Sequence, residues 1–182
     1  MDALTTTGGT VWFTGLSGAG KSTVAQVLHE VLAGRGLRSY LLDGDEIREG
    51  LNADLGYSES DRTENVRRLG EVAILFGRGG HLSLVTAISP YSAGRKAVRE
   101  RHSAMAVPFV EIYVATPLEV CEARDPKGLY ARARRGEVTS FTGISHPYEV
   151  PESPELALTT TGTPHEAALE VLAVLGAVAF FD

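Results

Sequence analysis

The feature that most constrains this chain is Gly15-Leu16-Ser17-Gly18-Ala19-Gly20-Lys21-Ser22, which satisfies G-x-x-x-x-G-K-[ST] at every position. Such a match carries chemistry only between a strand and a helix, and both flanks qualify. Thr10-Val11-Trp12-Phe13-Thr14 is a short β-branched and aromatic run that reads as a buried strand. On the other side Val24, Val27, Leu28, Val31 and Leu32 recur at i, i+3, i+4, i+7 and i+8, one face of a helix, and Gly34 and Gly36 supply its stop. Glycines in that turn let backbone N–H groups converge on phosphate oxygens at the positive end of the helix. Lys21 then reaches the β- and γ-phosphates, and the Ser22 hydroxyl ligates Mg²⁺. A glycine-rich turn with a merely solvated lysine is the competing reading, and the two flanks weigh against it.

A chain of 182 residues is expected to form one domain and to bury roughly 70% of its unfolded surface. The net charge of −6 argues against wholesale nucleic-acid binding, so an anionic ligand must be held by a few placed cations. Cys121 is the one cysteine, which excludes an intrachain disulfide and fits a reducing compartment. The histidines show no metal-ligand spacing, and no run reaches the roughly 18 apolar residues of a membrane span. Met1-Asp2-Ala3-Leu4-Thr5 lacks the regions of a secretory leader, and the expected location is the cytoplasm.

Further along, Ser39-Tyr40-Leu41-Leu42 reads as a second strand that delivers Asp43-Gly44-Asp45 at its carboxyl end, where open α/β sheets bind ligands. An Asp-Gly turn without chemistry is the alternative. A loop over 51–57 leads into a helix capped by Ser58 and running to about 76, with Val66, Leu69, Ala73 and Phe76 as its core stripe. Arg62 and Asn65 lie close to that stripe, so they either emerge into a cavity and meet a ligand or edge into solvent. Strands are expected over 82–88, 109–115 and 156–159, and a modest helix over 93–101. Thr116-Pro117-Leu118-Glu119 and Thr163-Pro164-His165-Glu166 have the form of capping boxes that open two more helices, the second running to 175. Cys121, in the first of these, reads as a small packed residue. Over 124–148 Arg124, Lys127, Arg132, Arg134 and Arg135 gather positive charge while Gly128, Gly136 and Gly143 break up regular structure. This stretch reads as a mobile lid over the phosphates, with a solvated basic loop as the alternative. About five strand-then-helix units imply a parallel sheet with helices on both faces, of the P-loop NTPase type.

A phosphate loop does not by itself choose among kinase, GTPase and motor ATPase. No [NT]-K-x-D guanine-reading motif is present, and the third strand carries no acid at its end. The acids follow the second strand instead, and a compact chain with its own lid suits a small acceptor. At this point the chain resembles the adenylylsulfate kinase family. The resemblance lies in Gly15 to Thr23, in Leu42-Asp43-Gly44-Asp45 with Arg48, and in Asp54-Leu55-Gly56-Tyr57-Ser58 with Arg62 and Asn65. It continues through Ile88-Ser89-Pro90-Tyr91, Arg124-Asp125-Pro126-Lys127-Gly128-Leu129-Tyr130, Phe141-Thr142-Gly143-Ile144 and Tyr148-Glu149, nearly the whole chain from Gly9.

The resemblance implies transfer of the γ-phosphoryl of ATP, with Mg²⁺, to the 3′-hydroxyl of adenosine 5′-phosphosulfate, in sulfate assimilation. It implies that Gly15, Leu16, Ser17, Gly18, Ala19, Gly20, Lys21, Ser22 and Thr23 bind ATP, and that Asp43 orients the waters of the metal held by Ser22. Lys21, Asp45 and Ser89 are the implied catalytic positions, with Asp45 near the hydroxyl that is phosphorylated. Ser89 reads as an acceptor contact, although the family has also cast this serine as a phosphoserine intermediate. Arg48, Tyr57, Arg62, Asn65, Ile88, Lys127 and Phe141 match acceptor-site positions, with Tyr57 and Phe141 stacking on the adenine. The chain departs from the family's habit at Glu46, commonly Asn, near Gly94, where an acid is usual, and near Thr139, often basic. The resemblance also implies a homodimer, and charge and the lack of a long apolar run leave neither nucleic acid nor membrane as an expected partner. The rival readings are a kinase of cytidine diphosphoramidate and a nucleotide-binding module that has lost turnover, which intact Lys21, Ser22, Asp43 and Asp45 disfavour.

Overall fold

The computed structural model describes residues 7–159, 162–178 and 180. Strand β1 (Gly9–Thr14) feeds the glycine loop and helix α1 (Lys21–Gly34). Then come β2 (Ser39–Asp43), α2 (Gly44–Glu49), α3 (Glu59–Arg78), β3 (Leu82–Thr86), α4 (Ser92–Ala104) and β4 (Phe109–Val114). Helices α5 (Leu118–Arg124) and α6 (Leu129–Arg134), strand β5 (Leu156–Leu158) and helix α7 (Pro164–Ala177) complete the order. The strands form one sheet in the order β2-β3-β1-β4-β5, with every neighbouring pair parallel.

The central strand β1 is buried along its whole length, which is why it reads as a β-branched and aromatic run without charges. Its side chains alternate between faces. Val11 and Phe13 join the core beneath α1 and α7, with Val24, Leu28, Leu32, Val171 and Leu175, whereas Trp12 joins the opposite core with Val66, Leu69 and Ala73 of α3 and Val98 of α4. At Gly70 a side chain would meet Val98 at 3.0 Å, so glycine is what lets α3 and α4 pack closely. Cys121 is buried in the first core, as a packed residue should be.

Several boundaries differ from expectation. Strand β3 stops at Thr86 rather than 88, because the chain turns out of the sheet at Ser89, whose φ is 41°. Helix α2 was not expected. Asp43 opens it by accepting the Asp45 N–H at 2.9 Å, so one residue serves both as strand end and as N-cap. Helix α6 interrupts a stretch expected to lack regular structure, and the Asp125 carboxylate accepts the N–H groups of Tyr130 and Ala131 at 3.0 Å each. Ser58 caps α3 as expected, in a reciprocal box with Asp61, and Thr163 and Glu166 do the same for α7. In α5, Pro117 stands at the N-cap, one residue before its expected place, and the Thr116 hydroxyl donates to the carbonyl of Ala19 at 2.7 Å. Among the described residues no helix is long and apolar enough to cross a membrane.

Candidate active site

All five strands point their carboxyl ends toward one side of the sheet, and a cavity of about 1320 Å³ opens there. At its centre is the loop between β1 and α1. Gly15 takes φ 146° with the Val114 carbonyl only 2.6 Å from where a Cβ would stand, so no side chain fits. Gly20 takes φ 103° and is the N-cap of α1, which has no side-chain cap and no acid in its first turn. The first N–H groups of α1 are thus left to an outside anion, in contrast to α3 and α7 with their carboxylate caps.

Lys21 leaves the first turn of α1 and folds its Nζ back onto the carbonyls of Gly15 at 3.0 Å and Leu16 at 2.7 Å. Burial pushes its ammonium down to about 8 against the pull of Asp45 and Asp43. Ser22 Oγ donates to Asp43 Oδ2 at 2.6 Å, and Thr86 Oγ1 donates to the same oxygen at 2.7 Å. Burial alone would raise the Asp43 carboxyl; the hydrogen bonds from Ser22, Thr86 and the backbone of α2 outweigh it and hold the group ionised below its usual range. A carboxylate and two hydroxyls converging beside the phosphate loop form an all-oxygen donor set, which suits a hard divalent cation such as Mg²⁺.

On the far side of Asp45 lies a second group of side chains. The Arg48 guanidinium sits 4.7 Å over the Tyr57 ring and donates to the Gly56 carbonyl at 2.8 Å. Arg62, buried at the start of α3, donates to the Tyr57 carbonyl at 3.0 Å and to Thr142 Oγ1 at 3.0 Å, and also to the Ser140 carbonyl. Asn65 is buried one turn on, its Oδ1 accepting from Asn52 at 2.9 Å. Of the two fates open to Arg62 and Asn65 in the sequence, the structure realises the cavity. Phe141 lines the same cavity, with its ring edge against Tyr130 at 4.8 Å. Lys127 crosses from the 124–148 segment to Asp45 Oδ2 at 2.5 Å, and that hydrogen bond raises the lysine above its ordinary value.

Ile88 and Ser89 line the wall between these groups. Ser89 is only 3% exposed, and its hydroxyl accepts from Trp12 Nε1 and donates to Thr14 Oγ1, both at 3.0 Å. Every candidate residue named from the sequence borders the cavity except Gly15 and Leu16, which lie beneath it and supply the carbonyls that hold Lys21. Sequence reasoning missed Thr86, which takes the strand-end place where an acid was sought, and Tyr130, whose hydroxyl donates to the Ser17 carbonyl at 2.9 Å and ties α6 to the phosphate loop.

A parallel sheet in this order, a glycine loop that leaves a helix N-terminus open and an acid beside a second polar chamber together define a P-loop kinase-type protein. The sequence profile of the adenylylsulphate kinase family matches residues 7–159, and the chain belongs to that family. It is 54% identical over 153 residues to the adenylyl-sulfate kinase of Saccharomyces cerevisiae, covering 84% of this chain and 76% of that one. It is 53% identical over 168 residues to the bifunctional enzyme CysN/CysC of Mycobacterium tuberculosis, covering 92% of this chain but only 27% of that enzyme. The APS kinase CysC of Mycobacterium tuberculosis, solved in complex with AMPPNP and APS, superposes with a TM-score of 0.92 at 53% identity, over 93% of this chain and 98% of that one.

Proposed function

We propose that this chain transfers the γ-phosphoryl group of ATP to the 3′-hydroxyl of adenosine 5′-phosphosulfate. The observation that carries the reading is one continuous cavity with the phosphate loop at its centre, Asp45 beside it, and Tyr57, Arg62 and Asn65 beyond. The triphosphate lies along the loop and the N-terminus of α1, with Lys21 moving from the carbonyls of Gly15 and Leu16 to the β- and γ-phosphates. Ser22 and Asp43, steadied by Thr86, would hold Mg²⁺, which would supply charge neutralisation at the transferring group. The acceptor base stacks between Tyr57 and Phe141, and Arg62 and Asn65 face its ribose and phosphosulfate. A guanidinium has five N–H donors, so Arg62 can bind an anion while it keeps its bonds to residues 140–142. Asp45, released from Lys127, accepts or orients the proton of the attacking hydroxyl, and the phosphoryl group passes in line without a covalent enzyme intermediate. The buried and doubly bonded Ser89 hydroxyl serves as a wall of the acceptor site.

We carry with this reading a single kinase domain, a homodimer, residence in the cytoplasm and a place in sulfate assimilation. The test is to incubate the purified chain with Mg·ATP and each acceptor and to chromatograph the products. A 3′-phosphorylated adenosine phosphosulfate is expected, whereas turnover of cytidine diphosphoramidate alone, or of neither acceptor, would overturn the assignment.

A further inference from the structure

Behind the cavity, Arg95 of α4 is 3% exposed although it is charged. Its Nε meets Glu111 Oε1 of β4 at 2.8 Å. Its two remaining nitrogens reach in different directions: Nη1 donates to the Ser89 carbonyl and Nη2 to the Glu149 carbonyl, both at 2.7 Å. Ser89 is a non-glycine residue at φ 41°, a conformation that needs support from its surroundings. Glu149 closes the same loop from the other side, for its N–H donates to the Pro90 carbonyl at 2.8 Å and its Oε2 accepts the Ser92 N–H at 2.6 Å. The adjacent Tyr148 hydroxyl pairs with Thr14 Oγ1 at 2.9 Å, the same oxygen that accepts from Ser89. Glu111 is itself fixed by Arg99 at 3.4 Å, and Arg99 by Glu155 at 2.6 Å. One planar, forked cation therefore spans the turn that walls the cavity and the residue that follows the 124–148 segment. An ammonium lacks the fixed planar fork by which separate nitrogens hold Glu111, Ser89 and Glu149 at once.

We propose that Arg95 is a positioning residue of the acceptor site: it holds the Ser89 turn in its left-handed conformation against residues 148–149 and so fixes the wall on which the acceptor rests. This rests on the reading that Ile88 and Ser89 face the acceptor rather than ATP. Neither Arg95 nor Glu111 borders the cavity, so any effect on substrate is indirect, through the turn and residues 148–149 that Arg95 ties to it.

The test uses Arg95→Lys in the full chain. It keeps a charge for Glu111 and loses the fork. Breaking a charge-assisted hydrogen bond of this kind is expected to raise KM for adenosine 5′-phosphosulfate about tenfold and to leave KM for ATP within about twofold. Trp12, the one tryptophan, donates to Ser89 Oγ, and its emission should shift in the variant. Glycine takes a positive φ without strain, so in a Ser89→Gly background the same Arg95→Lys change should raise the acceptor KM less than about threefold. Equal rises in both KM values, or a lowered Tm with both unchanged, would reduce Arg95 to a stabilising core residue and overturn the proposal. Should Arg95→Lys fail to fold, Glu111→Gln loosens the guanidinium from the other end and should move the acceptor KM in the same direction, and an unchanged value would count against the proposal. If the wild-type chain turns over no adenosine phosphosulfate, the functional assignment fails on its own, and unchanged Trp12 emission in the Arg95 variant still overturns the role given to Arg95.

Discussion

At the scale of single residues, Lys21 shows how the site uses the cost of burial. Desolvation pushes its ammonium down to about 8, and the loop carbonyls that it touches replace water only in part. A triphosphate beside it favours the charged form and raises the group toward or beyond its ordinary 10.5. Below pH 8 the lysine is charged with or without ligand, and binding moves no proton. Above about 8 the free protein has lost that proton and must recover it on binding. ATP affinity should therefore fall as pH rises from 8 toward 10, with net proton uptake at pH 9, read by calorimetry in buffers of different ionisation enthalpy. Heat independent of the buffer would place Lys21 away from the phosphates. The contrast between Asp45 and Ser89 is as direct. Among the described residues the Asp45 carboxylate is held by an exposed ion pair, whereas the Ser89 hydroxyl is bonded on both sides and no base contacts it. Asp45→Ala should lose at least about 10²-fold in kcat, the scale of a general base, while Ser89→Ala keeps substantial turnover. A chiral γ-phosphoryl donor should give inversion, and retention would restore the covalent route.

At the scale of elements, α3 couples stability to the proposed acceptor side of the cavity. Its N-terminal turn carries Arg62, and the turn is fixed by Ser58 Oγ accepting the Asp61 N–H at 3.2 Å and by Asp61 reaching back to the Ser58 N–H. Ser58→Ala should cost about 1 kcal/mol, a fall in Tm of about 2–4 °C for a chain of this size. It should also weaken the acceptor more than ATP, since Arg62 and the Tyr57 carbonyl shift together. Equal weakening, measured on each ligand alone, would separate the cap from the site. The helix and its cap were legible because twenty residues hold several turns of one period and Ser58 precedes them. Helices α2 and α6 were not, because six residues hold fewer than two turns and their starts are set by Asp43 and Asp125, which read equally well as turn residues. Thr86 was hidden for another reason. It serves Asp43, 43 residues away, through a strand pairing that no local pattern records. Arg62 and Asn65 could be placed near the core face of α3, but only the fold decides that this face ends in a cavity.

At the scale of the whole molecule, the 124–148 segment packs into the main core through Tyr130, Ala133 and Phe141 and adds a set of polar ties to the rest of the chain. Lys127 bonds Asp45, Tyr130 bonds Ser17, Arg62 bonds Ser140 and Thr142, and Tyr148 bonds Thr14. The Lys127–Asp45 pair is more than half exposed on both sides, and pairs of that kind contribute about 0–1 kcal/mol. Arg62 holds residues 140 and 142 while Tyr130 holds the phosphate loop, so on the proposed reading the segment touches both the acceptor side and the ATP side of the cavity. On that reading either ligand alone is expected to engage part of the segment, and both together to engage it along its length. Local opening between them should then fall by mass action, as binding to the closed form stabilises that form. Arg132, Arg134 and Arg135 are exposed in the middle of the segment and give trypsin its reporters. Proteolysis of a transiently opened region follows the population of the open form when reclosing is fast. Cleavage at these arginines should slow modestly with ADP or adenosine 5′-phosphosulfate alone and about tenfold or more with both, to an extent greater than the product of the two single effects. Cleavage that ignores both ligands would make the segment a solvated basic loop, and protection by ADP alone, with nothing added by the acceptor, would detach Arg62 and Lys127 from the closing of the site.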